Sequence, residues 1–204
     1  VVTQNALATN AGYEILRKGG NAVDASVAVG FALAVTLPRA GNLGGGGFVL
    51  IYNKEDDEIS AIDYRSAAPK SATSDLFLEG DQVVKFGHLV NAVPGSVAGL
   101  LKAHDDHGSL PLADLLKPAI RIARDGFEIT HDLNFALQWG KESMIANKTS
   151  KVKFYDELEE PIKVKRIFKQ PKLAKTLFMI SKKGSDIFYK GEIAKWISEE
   201  SLSN

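Results

Sequence analysis

Cysteine is absent from the 204 residues, which removes disulfides, thiolate zinc and iron–sulfur sites, and a thiol nucleophile together. A surplus of either charge is also missing, since 25 Lys and Arg balance 25 Asp and Glu. Non-specific affinity for nucleic acid grows with the number of cations that neutralise phosphates, so a neutral chain argues against such a partner. Long hydrophobic runs are lacking too. The longest apolar stretch, Val27–Val35, is nine residues, against the roughly 20 needed to span a bilayer. The opening VVTQNALATNAG has no basic region ahead of an apolar core, so no signal peptide is visible, and Val1 in place of Met leaves room for a segment removed upstream. What is present, 45% hydrophobic and 25% charged residues, is the balance of a folded domain.

Glycine and charge are spread unevenly. Nine of the 18 glycines fall in residues 1–47, four of them consecutive at Gly44–Gly47. Residues 141–175 hold 10 basic against 5 acidic side chains; the cations are not interleaved with aromatics as a nucleic-acid platform requires, so they read as a solvated surface segment. Ala8, Ala11, Ile15 and Leu16 recur at helical spacing until Gly19-Gly20 stops them. A second helix, from Asn21 or Ala22 to Val35, is apolar nearly all round, which predicts burial between layers, with Pro38 ending it. Phe48–Tyr52 and Ile59–Tyr64 flank the polar turn NKEDDE and read as a hairpin. His88–Val93 reads as a third strand before Pro94-Gly95, followed by helices from Ser96 to about Asp106 and from Leu112 to Gly126. Two more helices are expected over 171–183 and 186–199, separated by Gly184. Strands clustered between helices indicate an α+β layered fold.

Several constellations invite a chemical reading. The stretch Gly41–Phe48 resembles a phosphate loop only in its glycines: no Gly-Lys-Ser/Thr ends it, and its order is helix, glycines, strand. The alternatives are close approach of another backbone to a strand start, or a glycine turn bordering a site. His104 and His107 stand at i, i+3 and could share a metal, but they lie at a helix C-terminus beside Gly108, where a cation complements the dipole, and the structural reading is the one adopted. Gly95-Ser96-Val97-Ala98-Gly99 places its serine one position early for a nucleophile elbow. Asp24 suits the first turn of its helix, where a carboxylate meets the positive dipole end. Arg65 follows the second hairpin strand directly, within Asp63-Tyr64-Arg65-Ser66-Ala67-Ala68-Pro69. A guanidinium held by a strand end either closes a structural ion pair or grips a carboxylate with two parallel hydrogen bonds.

Four ordered blocks, residues 19–52, 61–73, 91–129 and 173–197, resemble the γ-glutamyltranspeptidases. The resemblance covers nearly the whole chain and is weakest over 131–170. It implies an N-terminal-nucleophile hydrolase with a four-layer αββα sandwich, made as a precursor that cuts itself and exposes a threonine at the head of its small subunit. That threonine attacks the γ-glutamyl amide of glutathione or a related compound, its own α-amine serving as base, and no cofactor is required. Arg65 matches the family arginine that binds the substrate α-carboxylate. Ser66 stands where the family motif carries Glu, which removes a carboxylate able to orient the guanidinium or meet the substrate amine. None of the seven threonines (3, 9, 36, 73, 130, 149, 176) lies in a small-subunit context.

The expectation is therefore that residues 1–204 are the N-terminal portion of one large-subunit domain. It supplies Arg65 and scaffold but no catalytic residue, and is completed by a small subunit from the same precursor. The resemblance further implies a periplasmic or secreted location. The other reading is a non-catalytic binding or scaffold protein derived from such a fragment.

Overall fold

The structure, a computed structural model, describes residues 1–73, 75, 78–79, 82–83 and 90–203. Helix α1 (Ala6–Arg17) begins where the Asn5 side chain accepts from the backbone N–H of Leu7 and Ala8, and ends at Lys18 before Gly19, whose φ of 87° reverses the chain. Its buried stripe of Ala8, Ala11 and Ile15 faces α2 (Ala22–Thr36). Ten of the fifteen α2 residues are buried, as its all-round apolar composition predicts. Each large side chain such as Phe31 or Val27 contributes about 1.5 to 3 kcal/mol by leaving water.

The hairpin consists of β1 (Phe48–Asn53) and β2 (Glu58–Asp63), antiparallel in the register Phe48 opposite Asp63 through Asn53 opposite Glu58. Period-two alternation turns Val49, Ile51 and Ile62 toward the helices. The other face stays open to solvent: Phe48, Leu50, Tyr52 and Ile59 are 67%, 75%, 60% and 72% exposed. Two further pairs are two residues long, β3 (Leu78–Glu79) with β4 (Gln82–Val83), and β5 (Phe127–Glu128) with β6 (Ile167–Phe168).

Helices α3 (Ser96–His107) and α4 (Leu112–Asp125) pack on α2, and α8 (Pro171–Tyr189) lies along α4. Gln170 joins these layers: it is buried, its backbone N–H donates to Ala123 O (2.7 Å) and its side-chain amide donates to Val35 O (2.9 Å). Between α4 and α8 run three short helices, α5 (His131–Trp139), α6 (Lys141–Ala146) and α7 (Lys148–Phe154). The basic segment is largely at the surface, where Lys141 pairs with Glu160 and Lys151 with Glu159.

Two expectations need correction. Of the strand expected over His88–Val93, residues 88–89 lie outside the described residues, and among 90–93 an isolated bridge joins Val93 to Ala67; the ladder does not continue past it because the next N–H in register, that of Gly95, donates to Gly45 O instead. At the C-terminal end Gly184 does separate two helical stretches within α8, its φ of 63° and ψ of −150° lying outside the helical region, but the second stretch stops at Tyr189 instead of running on to 199. The break falls at Lys190-Gly191, and α9 (Glu192–Ser203) follows. No helix among the described residues is long and apolar enough to cross a membrane.

Candidate functional site

The chain leaves β2 at Asp63, and the ladder persists for one more residue as Tyr64 N–H donates to Gly47 O (3.0 Å) and Gly47 N–H to Tyr64 O (3.3 Å). The Asp63 carboxylate then accepts from the backbone N–H of Arg65 (2.9 Å), turning the chain out of the strand. Residues 64–66 are clamped between two glycine segments. A Cβ on Gly46 would overlap the backbone of Tyr64 and Ser66, one on Gly95 would overlap Tyr64 O, and one on Gly99 would enter the Tyr64 ring. Of the two readings left to the glycine stretch, close backbone approach is therefore observed, and the same glycines also border a cavity.

Helix α3 locks the clamp from the other side. Gly45 O accepts from the backbone N–H of Gly95 (2.8 Å) and Ser96 (3.0 Å), two donors at the α3 start that no side chain caps. The Tyr189 hydroxyl of α8 accepts from Ala98 N–H (3.0 Å) and donates to Pro94 O (2.8 Å). Burial raises the pKa of the Tyr64 and Tyr189 phenols, so both remain neutral hydrogen-bonding or packing groups at ordinary pH.

The result is a cavity of about 330 Å³ with an apolar floor at Leu33 and Leu100 and a polar wall of Asn42, Gly45, Gly46, Arg65, Ser66 and Ser96. Arg65 is exposed, and among the described residues no carboxylate pairs with its guanidinium. The structural ion pair that composition alone favours is not formed there. Ser66 is half-buried beside it, and Ser96 is buried at the first turn of α3. The sequence singles out neither Asn42 nor Ser96 as a site residue: the Gly95–Gly99 spacing excludes Ser96 as a nucleophile elbow, and Asn42 lies within the glycine stretch with no signal of its own. No threonine, histidine or carboxylate among the described residues lines this cavity. Thr36 and Thr176 bond to carbonyls one turn back, and Thr130 caps α5.

The remaining candidates have structural positions. Among the described residues no group of three or more His, Asp or Glu is placed to hold a metal ion. His104 bonds Leu110 O through Nε2 (2.8 Å). Asp24 forms a reciprocal capping box with Asn21 and also reaches the α3–α4 connection, where it accepts from Ser109 Oγ (2.5 Å), Ser109 N–H (3.0 Å) and Leu110 N–H (3.3 Å). Larger cavities, of about 550, 620 and 700 Å³, lie against α5–α6, between the hairpin and α1–α2, and along Lys151–Leu158; the last is an open surface hollow. The linings of the first two are mainly apolar; the first has the two-bond Arg39–Asp132 pair at its edge.

The sequence profile described as Gamma-glutamyltranspeptidase matches residues 8–204. The glutathione hydrolase proenzyme of Escherichia coli (strain K12) is 46% identical over 210 residues, covering 100% of this chain and 36% of that protein. The glutathione hydrolase proenzyme of Bacillus subtilis (strain 168) is 38% identical over 205 residues, covering 98% and 35%. The crystal structure of Helicobacter pylori gamma-glutamyltranspeptidase superposes with a TM-score of 0.95 at 37% identity, over 100% of this chain and 59% of that one. The chain thus spans about a third of the length of the curated relatives it matches.

Proposed function

The chain belongs to the gamma-glutamyltranspeptidase family, and we propose that residues 1–204 are the N-terminal part of the large subunit of a precursor that cuts itself. Its α+β fold is that of part of an N-terminal-nucleophile hydrolase. In the reading we propose, the protein transfers the γ-glutamyl group of glutathione and related compounds to water or to an acceptor amine. This chain supplies Arg65 and the framework around it, and the remainder supplies the nucleophile.

The observation that carries this reading is the state of Arg65. It is unpaired among the described residues and stands on a cavity wall, and the residues around it are held by backbone clamps instead of a mobile loop. A guanidinium so placed is preorganised for the two parallel bonds that a carboxylate accepts. With the donor's α-carboxylate fixed on Arg65, its γ-amide projects toward the part of the protein outside this chain. There the threonine hydroxyl adds to the amide carbon while the threonine's α-amine takes the proton. The C–N bond breaks, the proton leaves on the amine product, and water or an acceptor amine cleaves the glutamyl ester and restores the hydroxyl. Backbone N–H groups of the small subunit stabilise the oxyanion.

The partner implied is the small subunit from the same precursor, and the open face of the β1–β2 hairpin is the surface proposed to receive its sheet. That relatives carry the name proenzyme supports maturation by cleavage. A periplasmic or secreted location is proposed on family resemblance. The experiment is to express the full-length gene product and follow both processing and turnover of γ-glutamyl-p-nitroanilide. Two polypeptides, the shorter headed by threonine, with release of p-nitroaniline support the reading. A single uncut chain that binds glutamate-like ligands without turnover would instead establish the scaffold alternative.

A further inference from the structure

As the chain leaves β2 it is anchored on both sides of Arg65. Tyr64 exchanges both backbone bonds with Gly47 (3.0 and 3.3 Å), and Ala67 exchanges both with Val93 (3.1 and 2.8 Å). Arg65 lies between these anchors, and among the described residues its backbone N–H has one partner, the Asp63 carboxylate at 2.9 Å. A side-chain oxygen that accepts from the N–H two positions on closes an Asx turn, which fixes the direction in which the strand is left. Asp63 itself is exposed and does not line the cavity that Arg65 lines. An exposed carboxylate adds nothing to the core, so its structural consequence is the bond to Arg65.

We propose that Asp63 is a positioning residue for the acyl donor: by holding the N–H of Arg65 it sets the point from which the guanidinium reaches the donor's carboxylate, and it does so without touching the donor. The inference rests on the reading of Arg65 given under Proposed function and adds the residue that aims that side chain. A two-bond grip is directional, because both N–H groups must line up with both carboxylate oxygens. Displacement of the anchoring backbone is therefore transmitted to the donor, where misplacement by about 1 Å can cost roughly a hundredfold in rate. What the turn uses is an oxygen at a set distance from its own Cα, and not a negative charge. Asparagine presents the same oxygen in the same place, whereas glutamate keeps the charge and moves the oxygen one methylene further out. Those two substitutions separate aiming from electrostatics.

The test uses the steady-state kinetics of the full-length, matured protein with γ-glutamyl-p-nitroanilide. Asp63→Ala is expected to raise KM roughly tenfold or more, with kcat changed less than KM. Asp63→Asn is expected to keep the natural KM, and Asp63→Glu to behave as Asp63→Ala does. In kcat/KM, Asp63→Ala combined with Arg65→Ala should lose no more than Arg65→Ala alone, to within about twofold, because a residue that acts through another has nothing left to act on. An Asn variant as impaired as Ala, a Glu variant as active as the natural protein, or losses that multiply in the double variant would each overturn the inference. Should Asp63→Ala not mature, the Asn and Glu variants carry the test; failure of Asp63→Asn to mature would also overturn the inference, since it retains the turn. Arg65→Ala separates the two levels. If it weakens the donor while Asp63→Ala does not, only this inference fails; if Arg65→Ala has no effect, the reading of Arg65 itself is wrong.

Discussion

Asp24 shows how much one buried carboxylate contributes when its acceptors are all used. Burial pushes its pKa up, but hydrogen bonds from the Ser109 side chain, the Ser109 backbone, Asn21 and Leu110 outweigh that and leave it below the ordinary value. A carboxyl whose folded pKa is depressed stabilises the fold above its unfolded pKa, about 3.9, and loses that contribution as pH falls through the folded value. Asp24→Asn is therefore expected to lower the urea midpoint at pH 7, by an amount equivalent to about 1 to 3 kcal/mol. It should also flatten the loss of stability of the full-length protein below about pH 4. Equal slopes for the variant and the natural protein in that range would contradict the assignment. The sequence placed Asp24 correctly in a first helical turn. It gave no sign of the partners at Ser109 and Leu110, 85 and 86 positions away, because nothing local marks a connection that folds back onto a cap.

Among the elements, those with a strong period and a glycine or proline stop were legible, and those without were not. Helices α1 to α4 and the hairpin follow from apolar spacing and from Gly19, Pro38 and Gly126 as stops. Helices α6 and α7 are six and seven residues long and bury no residue completely, so they leave no apolar stripe to read. Gly184 is the helix break that its missing side chain announces, whereas the interruption at Lys190-Gly191 falls inside a stretch whose buried apolar positions continue from Ile187 to Ile193, so only the fold shows it. The same limit applies to the site. The glycines announced a close approach, but Gly95 and Gly99 lie some 50 residues from Gly46, and only the fold closes them on Tyr64. Two predictions belong at this scale. Gly95→Ala is expected to displace residues 64–66, raising KM for γ-glutamyl-p-nitroanilide, since its Cβ has only backbone to meet; an unchanged KM would refute the clamp. Tyr189→Phe removes the acceptor for Ala98 N–H and the donor to Pro94 O, and is expected to cost about 1 to 2 kcal/mol in denaturant titration.

At the scale of the whole molecule, the hairpin presents four large apolar side chains on one open face, Phe48, Leu50, Tyr52 and Ile59. Contiguous exposed apolar surface of this kind belongs to interfaces, or else promotes association. Residues 1–204 expressed alone are expected to self-associate or misfold, and sedimentation together with thermal melting checks this; a monomer with one cooperative transition would count against it. The sequence led to this expectation through the family's layered sandwich, and the exposed face is consistent with it. The central claim remains that Arg65 binds the donor's α-carboxylate. Its most direct test is the steady-state kinetics of Arg65→Ala in the full-length, matured protein with γ-glutamyl-p-nitroanilide. Loss of a two-bond charged pair in a pocket closed by the rest of the protein corresponds to about 2 to 5 kcal/mol, or roughly tens to thousands in kcat/KM. A decrease in that range is the predicted result, and kcat/KM equal to that of the natural protein would contradict the account.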